Sequence, residues 1–188
     1  MKKEIKKQIE KKEKKLVDYN WIIKITIMAF SISIAFSLIS EATIPNVNIF
    51  VAILVLFIFI IIGIIFDMIG VAVTSADEEP FHSMSSRKVN GAKMAVQLKK
   101  NADKTSSFCN DVIGDICGII SGAVGASISV DIAARFNIPI FISSLIVTSI
   151  IASLMIGGKA ISKSIAINKS NEILYNFAKF IGLFTKNK

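Results

Sequence analysis

Three stretches of this chain contain no charged residue: Ile25 to Ser40, Ile49 to Phe66 and Phe136 to Gly158. A run of roughly 18 apolar residues coiled as a helix reaches across the ~30 Å hydrocarbon layer of a bilayer, since each residue adds about 1.5 Å. Few other environments accept such runs, so the chain reads as an all-α integral membrane protein. Composition agrees: 53% of the residues are hydrophobic, mean hydropathy is +0.62 and only 19% are charged, against about 25% in a soluble domain. The apolar content also excludes disorder. The net charge of +8 and pI near 9.5 do not mark a nucleic-acid binder, because the basic residues have another role.

Four transmembrane helices are expected, over residues 21–40, 48–74, 108–131 and 137–157. The third is unusual in carrying Asn110, Asp111 and Asp115. A secretory signal peptide is the rival for the first, since it too places an apolar run after a positive region. Here that region is long, mixes Glu4, Glu10, Glu13 and Asp18 with its lysines, and leads to no small-x-small cleavage site. The helix at 21–40 is therefore expected to be retained, behind a basic N-terminal segment, 1–20.

Orientation follows from counting Lys and Arg by segment, because cytoplasmic loops keep them. Residues 1–20 hold eight, 75–107 hold six and 157–188 hold six; Lys24 opens the first span and only Arg135 falls in a remaining loop. Both termini and the segment 75–107 are therefore expected in the cytoplasm of a multi-pass plasma-membrane protein, with the lysines against anionic headgroups. The segment 75–107 can form a helical hairpin, with Pro80 in a first turn, but Val89, Ala92 and Val96 are too few for a core of their own. Toward the C-terminus, Ile173, Leu174, Phe177, Phe180, Ile181 and Phe184 share one helical face. This predicts an amphipathic juxtamembrane helix within 159–184, lying either on the membrane surface or against the bundle.

The third span carries the chemistry. Asp111, Asp115, Gly118, Gly122, Gly125 and Ser129 advance by three or four residues, so α-helical geometry puts them in one stripe. Gly114, Gly118 and Gly122 also form the small-xxx-small pattern of close helix packing, which is favoured over a pore lining. An Asp in mid-membrane costs about 2.5–3.5 kcal/mol on insertion scales, so such residues face a bundle interior, water or an ion. Asp67, eight residues from the end of the second span, and Asp115 sit at similar depth. Asp111 lies four residues from Asp115, where like charges repel unless neutralised. No Lys or Arg is expected at that level, which points to a bound cation. For Asn110 and Asp111 a helix cap and a cation ligand both remain open.

Thr74, Ser75, Glu78, Ser149 and Ser153 add oxygen donors. Carboxylate, hydroxyl and amide oxygens select hard cations such as magnesium, whereas soft metals prefer sulfur or imidazole. His82 is the only histidine and reads as a surface residue. Cys109 and Cys117, eight apart on one predicted helix, cannot pair with each other and read as packing residues. No phosphate-binding Gly loop, catalytic triad, haem or redox motif is present, so neither an enzyme nor an organic cofactor is indicated.

The order of features resembles a known family. A span ends in Ser75-Ala76-Asp77-Glu78-Glu79, and a basic segment follows with Asn90-Gly91-Ala92-Lys93-Met94-Ala95. A helix opens Asn110-Asp111-Val112, and after another span comes Gly158-Lys159-Ala160-Ile161-Ser162-Lys163-Ser164-Ile165-Ala166. Over roughly residues 55–175 this is similar to the transmembrane domain of the cyclin-M and CorB/CorC magnesium transporters. The resemblance implies that residues 48–188 form a homodimer-forming transmembrane domain with an inward-facing cavity, in which Ser75, Glu78, Asn110 and the residues near Gly158 lie close to the ion. The family's glutamate after the last helix is Lys159 here, its proline is Ser162, and its second asparagine aligns near Gly114. A lysine at a cation site repels the ion. The extra helix 21–40 is a departure, and no cystathionine-synthase-type pair is expected after this domain, leaving regulation to a separate cytoplasmic partner.

The sequence therefore predicts transport of a divalent cation, magnesium or secondarily cobalt, held by Asp67, Ser75, Glu78, Asn110, Asp111, Asp115 and Ser153. The rival is a non-transporting membrane module that binds a partner protein or senses a cation, and Lys159 is its best argument.

Overall fold

A computed structural model describes residues 19–43 and 48–184. The basic segment expected at 1–20 falls almost wholly outside that range. The described residues are all-helical, and four helices are long and apolar enough to cross a membrane. They are α1 (Tyr19–Thr43), α2 (Ile49–Ser75), a continuous run over Ala102–Phe136, and α7 (Ile140–Asn168). The run has three parts: α5 (Ala102–Ser107), a π-helical segment (Phe108–Gly114) and α6 (Asp115–Phe136). Short helices α3 (Glu79–Ser86) and α4 (Ala92–Lys100) follow α2, and α8 (Ser170–Phe184) closes the described chain.

Helices α2, α6 and α7 pack around one another. Their shared core comprises Ala52, Leu56 and Ile60 of α2, Val112 of the π segment, Ile116, Ile120, Val124 and Ile128 of α6, and Ile151 of α7. The four-residue spacing within each set keeps it on one helical face, so packing follows from the pattern of large aliphatic residues. Helix α1 rests on the outside of α6, with Phe36 edge-on to Phe59 of α2, ring centroids 6.2 Å apart.

The ends of these helices are specified locally. The Asn48 side chain accepts from the Phe50 N–H and caps α2. At the other end, Lys99 Nζ donates to the carbonyls of Val73 at 3.2 Å and Thr74 at 2.8 Å, satisfying orphan acceptors with a charge that suits the helix dipole. Between α6 and α7 the chain turns at Asn137, in the left-handed region at φ 53°. There Ser143 Oγ donates to the Ser129 carbonyl at 2.8 Å and ties the two helices.

A second core lies at the end that bears residues 76–107. Ile69, Val73 and Ala76 meet Phe81 of α3, Ala95 and Val96 of α4, Cys109, and Leu174 and Ala178 of α8. The hairpin α3–α4 thus acquires from α2 and α8 the core it lacks alone, and α8 lies against the bundle through this face while Leu183 stays exposed. Gly91 makes that contact close: its φ is +84°, and a β-carbon would stand 3.0 Å from the Cα of Lys179. Tyr175 Oη donates to the Asn90 carbonyl at 3.1 Å, and the Asp77 N–H donates to Asn171 Oδ1 at 2.8 Å.

Two expected boundaries are corrected. The fourth helix does not stop at residue 157 but continues through both glycines to Asn168, so the expected juxtamembrane helix over 159–184 is two pieces divided at Lys169. Gly158 packs against Ile64 of α2, where any β-carbon would overlap that side chain. This glycine brings two helices together rather than ending one. The third helix likewise begins at Ala102, before the expected start at 108.

Candidate functional site: a charged cluster between three helices

On α2 the buried residues Leu56, Ile60, Gly63, Asp67 and Gly70 recur at three- and four-residue steps, which brings a carboxylate onto the face that packs the bundle. On α7 the same periodicity links Ile151, Lys159, Ser162 and Ala166, of which all but Lys159 are buried. Met155, one turn before Lys159, packs against Gly63 and Gly118. Asp67 lies eight residues from the end of α2 and Lys159 nine from the end of α7, a matched height of about 12–14 Å.

Lys159 Nζ stands 3.8 Å from Asp67 Oδ1 and 3.9 Å from Asp115 Oδ1. This corrects the expectation that no basic residue accompanies the acids. A span that ends at residue 157 leaves Lys159 beyond the bundle, whereas the uninterrupted helix to Asn168 carries it back in. The two carboxylates differ in setting: the Asp67 side chain is 7% exposed, that of Asp115 68%. Lys159 is intermediate at 24%.

Asn110 belongs to the same neighbourhood but not to a helix start. It lies in the π segment, within a helical run that opens at Ala102, so neither it nor Asp111 caps a first turn. The Asn110 carboxamide presses on Gly70, one turn from Asp67, where a β-carbon would overlap it, and its Nδ2 donates to Ser106 Oγ at 3.3 Å. Asp67 Oδ2 and Asn110 Oδ1 are both buried with no hydrogen-bond partner among the described residues. Such orphaned acceptors are rare and call for a donor or an ion.

The remaining candidates are not drawn into this cluster. Asp111 is exposed. Ser75 is exposed at the end of α2, and Glu78 Oε1 is 2.9 Å from His82 Nε2. Ser153 is exposed, with its hydroxyl donated to the Ser149 carbonyl at 2.8 Å. Among the described residues no three His, Cys, Asp or Glu side chains converge as a ready metal cage, so any ion here would draw on amide, backbone or water oxygens as well.

The glycine stripe divides between roles. Gly118 meets Met155 and Gly125 meets Ile151, both across the α6–α7 contact, whereas Gly122 has no neighbour within 4 Å of a built β-carbon. Cys109 and Cys117 are buried free thiols.

Compared with protein families, with curated proteins and with solved structures, the chain matches none of them.

Proposed function

We propose that this protein carries a divalent cation, magnesium foremost and cobalt second, across the plasma membrane through the cluster of Asp67, Asp115 and Asn110. The carrying observation is the pair of buried acceptors without donors, Asp67 Oδ2 and Asn110 Oδ1. A hard cation supplies what they lack, since carboxylate and carboxamide oxygens are its preferred ligands. The π-helical segment beneath Asn110 supports this reading, as π-turns interrupt α-helices mostly at functional sites. The resemblance to the cyclin-M and CorB/CorC family points the same way. Within this proposal both termini and residues 75–107 are cytoplasmic, Ser75 and Glu78 flank the inner approach, Asp111 adds charge beside Asp115, Ser153 stands above, and the chain works as a homodimer with a separate cytoplasmic regulatory partner.

The test is thermal stability of the detergent-solubilised protein with and without millimolar magnesium, followed by flux in vesicles. Magnesium is expected to stabilise the wild type and to lose that effect in Asp115→Asn. An absent shift, or the same shift in the variant, sinks the reading.

One observation favours a second reading. The ion pairs of Lys159 with both acids suit a non-transporting module whose charges hold helices together or meet a partner. Binding of magnesium without flux would favour that module, as a sensor.

A further inference from the structure

Buried acids normally recruit a counter-charge from wherever one is available. Here the ammonium of Lys159 stands between Asp67 and Asp115, where a bound cation would be drawn. We infer that Lys159 is a tethered counter-cation holding this pair of carboxylates closed, and that a diffusible divalent cation binds by displacing it. The inference rests on the cation-handling reading above.

Four observations distinguish an exchangeable occupant from a fixed structural bridge. The separations of 3.8 and 3.9 Å exceed the roughly 2.7–2.9 Å of a charge-assisted hydrogen bond, so charge holds the ammonium without directional bonds. Its demand on the acids is incomplete, because Asp67 Oδ2 keeps no partner even with Lys159 beside Oδ1. The lysine has a flexible stem and is itself 24% exposed, so its ammonium is not sealed in between the acids. Lastly, Asp67 is closed off and Asp115 open, so an arriving ion meets Asp115 first and the ammonium next.

Charge then sets the class of ion. With Lys159 in place the three side chains carry one net negative charge; with it drawn aside, the two carboxylates match a divalent cation. Lys159 thereby acts as a specificity and positioning residue that binds no substrate itself.

The experiment titrates magnesium chloride into the full chain in detergent by calorimetry, and melts the same samples, for wild type, Lys159→Gln and Lys159→Met. Both variants are expected to bind magnesium on the order of tenfold more tightly or better. They should melt lower than wild type without metal and recover with it. Magnesium binding in the variants alone overturns the inference, since an ammonium that excludes the ion outright is not displaced by it. Equal or weaker affinity in the variants, with the wild type still binding, overturns the tethered occupant and leaves the cation reading standing. No heat and no melting shift in any of the three proteins overturns both. Should the variants be unstable, preparation throughout in magnesium is expected to rescue them, and failure of that rescue also overturns the inference.

Discussion

The carboxamide of Asn110 lies so close over Gly70 that no β-carbon fits between them. The contact joins the π segment to α2 one turn from Asp67, and it leaves Asn110 Oδ1 buried without a donor. Gly70→Ala should force the whole carboxamide aside and lower stability by about 1–3 kcal/mol, the usual scale of overpacking. A double-mutant cycle with Asn110→Ala, read by melting in detergent, should recover most of that loss. Additive losses would mean that the two residues do not press on each other.

Without metal, Lys159→Gln removes the only counter-charge within 4 Å of buried Asp67 among the described residues. Stranding a buried carboxylate costs on the order of 3–5 kcal/mol. The double variant Asp67→Asn with Lys159→Gln should be the more stable of the two, because the remaining group is neutral. Melting of single and double variants in metal-chelated buffer checks this, and a double variant no better than the single would deny the coupling.

Gly91→Ala combines a strained φ of +84° with a β-carbon 3.0 Å from Lys179 Cα. The expected effect is loosening of α8 from α4, by about 1–2 kcal/mol. Limited proteolysis within residues 168–180 should quicken in the variant while the spans stay protected.

Gly122 and Gly125 lie one turn apart on α6 with different surroundings. A β-carbon at Gly122 meets nothing, while at Gly125 it would overlap Ile151 Cδ1. Gly122→Ala should therefore be neutral or gain up to about 1 kcal/mol of helix propensity, and Gly125→Ala should destabilise until Ile151 is trimmed to Val. Melting of the three variants separates these outcomes. A loss at Gly122 would show that another surface covers it.

The helical spans were legible because uncharged apolar runs admit few other structures; α2 begins and ends within a residue of the expected 48–74. Packing was less legible. Gly158 closes an uncharged run that Lys159 interrupts, so the expected span stops there, and only the neighbouring Ile64 shows that it serves close approach. Lys159 was misplaced for that reason alone; continuing the four-residue step from Ile151 through Met155 would have brought it inward. The stripe from Asp111 to Ser129 presumes uniform α-helical geometry, whereas Asp111 lies in a segment that is π-helical. The second core was hidden for a different reason: Val96 and Leu174 are far apart in sequence and are joined only in the folded chain.

The wide turn at Phe108–Gly114 also has a mechanical meaning. One residue more per turn puts the two halves of the third helix out of phase by about 100°. Within the offset, Asn110 addresses α2 at Gly70; beyond it, Gly118 and Gly125 address α7 while Ile116 and Ile120 still meet α2. The segment thus works like the indexing of a splined shaft, setting the phase at which one rod meshes with both neighbours.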